Sequence, residues 1–158
     1  MIKKIIATLG ISSAAVLCMA MPAAAHTQAA PDCQWGTSYG TIVTTAPVKA
    51  EADGSRVGTV EICRDSAYKY WGFVIYTSPM TASQYAQVHL GRYRDDVWES
   101  EITCDSPGGN KMVGPGQTRC WTPKFTGLSA RYTFRAASFK YSSHTGDLLA
   151  LGQTIEDR

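Results

Sequence analysis

The chain is predicted to fold as an all-β domain, a small antiparallel barrel or sandwich of about seven or eight strands that is stapled by disulfides. Residue types that favour strands, namely Thr, Tyr, Val, Ile and Trp, recur between short segments rich in Gly, Pro, Ser, Asp and Asn. No apolar period of 3.6 residues persists for three turns, which argues against long helices. Four cysteines, an even number, follow the N-terminal apolar segment.

The first two strands are predicted at residues 40–45 and 56–63, with the Asp53-Gly54 turn signal between them. Residues 70–76 give the strongest strand pattern. Alternation places Trp71, Phe73 and Ile75 on one face and Tyr70, Val74 and Tyr76 on the other. Because both faces are apolar or aromatic, this strand should lie at the centre of the sheet.

Residues 81–85 are predicted as a single helical turn capped by Thr81, followed by a half-buried strand that points Ala86, Val88 and Leu90 inward. In residues 97–104 the alternating positions of one face should also point inward. They are Trp98, Ser100, Ile102 and Cys104.

Residues 105–117 contain two Gly/Pro clusters and are predicted to form a loop. The last strands are expected at residues 118–121, 130–141 and 148–153. In the long one, the residues predicted to face the core are Ala130, Tyr132, Phe134 and Ala136.

Residues 1–25 match a secretory signal peptide, with Lys3 and Lys4 before an apolar stretch and an Ala-x-Ala cleavage site at its end. The mature chain is expected to begin at His26, with a flexible segment at 26–32 and a single β domain at 33–158. The apolar stretch is short and contains small polar residues, and no second one follows, so no stable membrane span is expected. The predicted location is secreted, extracellular.

Cys18 lies inside the signal peptide; it is an alternative lipidation site, but Leu17 precedes it where a small residue is expected. The other cysteines allow three pairings. The favoured pairs are Cys33 with Cys63 and Cys104 with Cys120, because closing the shorter loops costs less chain entropy. A structural zinc site is disfavoured, since no two of these cysteines have the two-to-four-residue spacing of metal-binding knuckles.

Without Lys3 and Lys4, 13 of the 15 basic residues remain, and this number equals that of the 13 acidic residues. No block of Lys or Arg remains that could neutralise a phosphate backbone, so no nucleic-acid partner is predicted.

No catalytic residue is assigned. His89 and His144 lie in polar segments, and Glu99 with Glu101 is interpreted as a solvated strand face rather than a glycosidase pair. An N-terminal His26 paired with a second histidine would resemble the copper brace of lytic polysaccharide monooxygenases, but His26 leads a short flexible segment. No nucleotide loop, calcium loop or metal cluster is present in the sequence, so no cofactor and no metal are predicted.

Aromatic side chains are the main candidates for binding. Any single Trp is expected to fill the core, while Tyr68 and Tyr70 are predicted at the surface because Lys69 and residues 64–66 mark a solvated strand entrance. The Gly/Pro-rich loop clamped by Cys104 and Cys120 is a second candidate, because such a loop could present Lys111 and Met112 to a protease.

Val60-Glu61-Ile62 before Cys63 and Trp71, and the later segment at 120–125, resemble an uncharacterised family of actinobacterial secreted domains. That family has a Val-Glu-Leu strand, a Cys-x-x-x-Trp-x-Arg stretch and a late Tyr-Thr-Pro-Met segment. The resemblance spans roughly residues 33–137. It implies no activity and no functional residues, because that family has none assigned.

The function expected from the sequence is that of a secreted, non-catalytic binding or interaction domain of the cell envelope or medium, whose partner is an extracellular protein or polysaccharide. The alternative is an inhibitor of a secreted hydrolase that uses the 105–119 loop. An enzyme is the third hypothesis.

Overall fold

The computed structural model describes residues 32–155, which form eleven strands and no helix. The strands are β1 (Gln34–Trp35), β2 (Ser38–Tyr39), β3 (Thr41–Ala50), β4 (Arg56–Arg64), β5 (Lys69–Tyr76), β6 (Tyr85–Arg94), β7 (Val97–Thr103), β8 (Arg119–Trp121), β9 (Phe125–Thr126), β10 (Tyr132–Tyr141) and β11 (Leu148–Ile155). The predicted signal peptide, Cys18 and His26 lie outside the described residues.

One antiparallel sheet contains nine of these strands, in the order β7-β6-β10-β11-β3-β4-β5-β8, with β9 also paired to β5. The sheet curls into a half-barrel, which confirms the all-β prediction and decides between its two architectures in favour of the barrel-like one. β1 and β2 form a separate two-stranded hairpin.

The two edges of the curled sheet are covalently joined. Cys104, directly after β7, forms a disulfide with Cys120 in β8, and their Cα atoms are 6.0 Å apart. The Cys104 backbone N–H also donates to the Val88 carbonyl. The pairing predicted for these two cysteines is therefore correct. The disulfide connects the two edge strands of the half-barrel.

The inner face of the sheet carries the main core. Its fully buried members include Val48, Val60, Ile62, Val74, Val88, Leu90, Phe134 and Ala136. The prediction that β5 is buried on both faces is confirmed, since Tyr70, Val74 and Tyr76 belong to this core while Trp71 and Phe73 belong to a second one.

The second core lies between the sheet and the N-terminal hairpin. Cys33, ahead of β1, is bonded to Cys63 of β4 with a Cα separation of 5.4 Å, which confirms the second predicted disulfide. The indole N–H of Trp71 donates to the Gln34 carbonyl at 3.2 Å. The hairpin thus covers the outer face of β4 and β5 and buries the side chains there.

The prediction that Trp98 points inward is wrong, because its side chain is 59% exposed. The register between β6 and β7 shifts, from Arg92 opposite Ser100 to Tyr93 opposite Trp98. A bulge of this kind adds a residue to one strand and reverses the alternation beyond it. Ile102 and Cys104 lie beyond the register shift, towards the disulfide that follows β7, and their side chains remain on the core side.

The predicted helical turn at residues 81–85 is also absent from the described chain. The Thr81 backbone N–H donates to the Gln84 side chain, while Met80 pairs with the 105–118 loop through hydrogen bonds to Gln117 and Gly116. These tertiary bonds hold the segment in an extended bend, and β6 begins at Tyr85.

The prediction that Ala130 faces the core is also wrong. Ala130 is exposed because β10 begins only at Tyr132.

Within residues 32–155 there is no helix with the length and apolarity that a membrane crossing requires.

Candidate functional site

A continuous series of rings crosses the outer face of β6 and β10, on the side of the sheet opposite the main core. We call it the ring row; it consists of His144, Tyr85, Tyr141, Phe139 and His89. Neighbouring ring centroids are 4.4 to 6.4 Å apart along the row. These spacings are those of interacting aromatic pairs.

The register of two strands creates the row. β6 and β10 are antiparallel, with Tyr85 opposite Tyr141, Gln87 opposite Phe139 and His89 opposite Ala137. Because side chains alternate along a strand, positions two apart on β6 and β10 share one face. Their neighbours Ala86, Val88 and Ser138 point into the core.

The turn between β10 and β11 supplies the first ring of the row. It is closed by hydrogen bonds from Ser142 N–H to the Asp147 carbonyl and from Gly146 N–H to the Ser143 carbonyl. This geometry folds His144 back over Tyr85, with nearly parallel rings at a centroid distance of 4.4 Å. His144 is exposed, while the other members of the row are half-buried.

His89, the last ring of the row, is hydrogen-bonded to a glutamate carboxylate. Nδ1 of His89 lies 2.9 Å from Oε1 of Glu101 on β7, and its ring meets Phe139 edge-on. Both side chains remain partly exposed. The pair therefore places a polar group beside the apolar surface of the row.

The loop between Cys104 and Cys120 is tied to the row by Asp105. One carboxylate oxygen of Asp105 accepts from the Gln87 side-chain amide and the other from the Met112 backbone N–H. Gln87 lies among the rings on the outer face of β6, so these bonds position the loop beside the row.

A cleft of about 400 Å³ opens where the loop meets the row, and we call it the Met112 cleft. Its lining comes from three segments: Tyr85 with the bend before it, Met112 with residues 114–115 of the loop, and His144 with its turn. Two rings of the row thus line the cleft. A concave site with apolar walls and a few polar groups is the usual form of a ligand site.

The predicted binding residues Tyr68 and Tyr70 have different environments. Tyr68 is 50% exposed, as expected, with a φ of +54° and the Arg64 guanidinium over its ring. Tyr70 is only 3% exposed, so the prediction that it lies at the surface is wrong. Its ring points into the half-barrel and stacks on Phe134 at 4.3 Å. Neither tyrosine contacts the ring row.

The predicted loop residues Lys111 and Met112 do not form a projecting tip. The Lys111 N–H donates to the Cys104 carbonyl and the Met112 N–H to Asp105, so the loop folds back on itself. Lys111 is exposed with a φ of +72°, whereas Met112 is half-buried and faces the cleft. The structure thus brings Met112, but not Lys111, to the candidate site.

A further cluster of donor atoms lies beneath the N-terminal hairpin, where Cys33, Glu61 and Cys63 place their ligand atoms within 4.8 Å of one another. The two sulfurs are bonded to each other, and metal binding requires thiolates. Burial and the nearby Asp32 carboxylate raise the pKa of Glu61 to about 7. This cluster therefore has an ionisable group but not the chemistry of a metal centre while the disulfide is intact.

The sequence contained part of the signal for the ring row. Tyr85, Gln87 and His89 alternate with buried residues, as do Phe139 and Tyr141. What the sequence could not provide was the pairing of these two strands, which lie about fifty residues apart.

No family model, curated protein or solved structure matches this chain.

Proposed function

We propose that this protein is an exported, non-catalytic domain that binds a polysaccharide chain of the cell envelope or medium along the ring row. The observation that carries this proposal is the continuity of the row with the Met112 cleft, since Tyr85 and His144 belong to both. The signal-peptide pattern and the two disulfides support export, because disulfides persist in oxidising compartments.

The ring row and Tyr93 beyond it together form a long outer surface, and its length favours an extended ligand. From Tyr85 to Tyr93, β6 advances eight residues, which corresponds to about 26 Å at 3.3 Å per residue. Tyr93, with the Arg135 guanidinium 4.3 Å from its ring centroid, prolongs the outer aromatic surface beyond His89. A surface of this length is suited to several consecutive sugar units rather than to a single small molecule.

The chemistry of the row favours sugars. Half-buried rings offer apolar surface at a small entropic cost. The polar groups of Gln87 and Ser143 lie on the elements that carry the rings, and the Glu101 carboxylate lies beside His89 on the neighbouring strand β7. Sugar rings have the same dual character, with apolar C–H faces and a rim of hydroxyl groups. The row can therefore contact both parts of a sugar chain.

The alternative of a hydrolase inhibitor using the 105–119 loop has less support. A protease inhibitor of this type needs an extended, projecting segment, and the backbone around Lys111 and Met112 is hydrogen-bonded back to its own loop. An enzyme also has less support, because the His89–Glu101 pair lies outside the cleft lining and His144, which lines the cleft, is an exposed side chain.

The proposal can be tested by retention of the purified mature protein on insoluble cellulose, chitin and bacterial cell-wall material. We expect retention on at least one of them, and we expect His144→Ala and Tyr141→Ala each to weaken it roughly tenfold, the loss of a good ring contact. Tyr39→Ala is the matched control, because Tyr39 is exposed on the N-terminal hairpin, away from the row.

Release of soluble sugar from the retained polymer would instead indicate an enzyme. Equal retention of all variants, or sub-micromolar inhibition of a trypsin-like or subtilisin-like protease by the parent, would refute the proposal.

A further inference from the structure

A second cleft, of about 480 Å³, lies beside the other part of the 105–118 loop, and it is independent of the ring row. Its lining residues are Gln34, Asn110, Gly116, Gln117, Thr118, Arg119 and Trp121. We call it the Arg119 cleft. None of these described lining residues is acidic, and Arg119 gives the cleft one positive charge.

The three amide side chains of the cleft each accept a hydrogen bond from the protein through their oxygen atom. Oδ1 of Asn110 accepts from the Trp121 N–H at 2.7 Å, Oε1 of Gln117 accepts from the Gly114 N–H at 2.9 Å, and Oε1 of Gln34 accepts from Arg119 at 2.8 Å. A backbone N–H can only donate, so these bonds fix which end of the Asn110 and Gln117 amides is oxygen. Their NH₂ groups are left as hydrogen-bond donors.

Arg119 is oriented without being neutralised. Its Nη1 donates to the neutral oxygen of Gln34, and the Gln34 amide is held in turn by its own bond to the Gly36 carbonyl. Among residues 32–155, no carboxylate lies within ion-pair distance of this guanidinium. The remaining N–H groups of Arg119 are therefore available to an anionic ligand.

The cleft thus presents donors from Asn110, Gln117 and Arg119 around the half-buried Trp121 side chain, and each of its amide oxygens already accepts a hydrogen bond within the protein. Such a surface is complementary to a ligand rich in acceptor oxygens, and a guanidinium matches the planar geometry of a carboxylate. We infer that the Arg119 cleft binds the carboxylate-bearing sugar unit of an acidic polysaccharide, a uronic acid.

A uronic acid suits the cleft better than a peptide. A peptide backbone alternates N–H donors with carbonyl acceptors, so only its carbonyl groups would match the amide and guanidinium donors of the cleft. Sugar hydroxyls can accept from Asn110 and Gln117 while directing their own hydrogens to water. The Trp121 ring provides an apolar surface for the sugar ring.

Two substitutions test the donor arrangement while leaving the scaffold intact. Gln117→Glu and Asn110→Asp each retain the oxygen that accepts the backbone N–H, and each replaces an NH₂ donor with a negatively charged oxygen. Gln153→Glu is the matched control. It makes the same amide-to-carboxylate change at an exposed position of β11 that lines neither cleft.

The probe is tetragalacturonate, measured by isothermal titration calorimetry with the mature protein. We expect binding that weakens roughly tenfold or more in Gln117→Glu and in Asn110→Asp, and that is unchanged in Gln153→Glu. The fully methyl-esterified tetrasaccharide, which has the same shape without the charge, should bind at least about tenfold more weakly than the acid.

The inference is overturned if the ester binds as tightly as the acid, if the two variants bind like the parent, or if tri-alanine competes as well as the tetrasaccharide does. Absence of measurable binding by the parent overturns it as well. Retention on neutral polysaccharides through the ring row should be unaffected by Gln117→Glu, so failure of either proposal can be recognised separately.

Discussion

The buried carboxylate of Glu61 accepts a hydrogen bond from the Cys33 backbone N–H at 3.0 Å, beneath the N-terminal hairpin. This bond joins β4 to the hairpin next to the disulfide between Cys33 and Cys63. The carboxyl group is shielded from solvent and faces Asp32, and both effects raise its pKa from 4.5 to about 7. An acid in this position links the stability of the hairpin to pH.

The first prediction is that the free energy of unfolding falls as pH rises from 4.5 to about 7. The folded state holds the Glu61 proton more tightly than the unfolded chain, so this stabilisation is complete below 4.5 and lost above about 7. The change amounts to about 3 kcal/mol. Urea denaturation across this pH range measures it.

Glu61→Gln should remove most of this pH dependence, because an amide oxygen still accepts from Cys33 but does not ionise in this range. Glu51→Gln, on the exposed turn after β3, is the control and should retain the behaviour of the parent. A Glu61→Gln variant with the same pH profile as the parent would contradict the assignment.

The second prediction compares two tryptophans. Trp71 is fully buried between the sheet and the hairpin, so Trp71→Ala should lower the free energy of unfolding by about 3 to 5 kcal/mol. Trp98→Ala should change it by no more than about 0.5 kcal/mol, since the Trp98 side chain is exposed beyond the β6–β7 register shift. Thermal unfolding of both variants tests this, and similar losses would contradict the fold.

The third prediction concerns the two disulfides. Replacing Cys104 and Cys120 together by serine should cost about 3 kcal/mol in the chain-entropy model, and it should also weaken binding along the ring row, because the loop that forms the Met112 cleft loses its covalent anchors. Replacing Cys33 and Cys63 should cost a similar amount but leave that binding unchanged.

Chemical denaturation and retention on polysaccharide, the latter measured well below the denaturation midpoint, separate these two effects. Equal loss of ring-row binding in both double variants would show that the loop has no special role.

The fourth prediction concerns the mature chain. Protein collected from the culture medium should begin at His26 and contain no free thiol, because cleavage of the predicted signal peptide would remove Cys18 and the other four cysteines are paired. Intact mass spectrometry with thiol labelling under denaturing conditions measures both. An uncleaved chain, a lipid on Cys18 or a reactive thiol would disprove it.

The sequence by itself determined the strand-rich class and the two buried faces of β5, and it favoured, among three possible pairings, the cysteine pairing that the structure contains. These features depend on local alternation and on short loop closure, which a single chain segment displays. Local alternation was misleading at Trp98, where a bulge reversed the side-chain direction, and at residues 81–85, where bonds from Met80 to a distant loop replaced a helical turn.

Only the tertiary structure decided which outer faces stay accessible and which side chains meet there. The N-terminal hairpin covers one outer face and buries Trp71, while the outer face of β6 and β10 remains open and assembles the ring row. The lining of the Arg119 cleft likewise comes from Gln34 and from residues more than seventy positions later. Such contacts depend on strand order and on the curl of the sheet, which arise from the packing of all strands together.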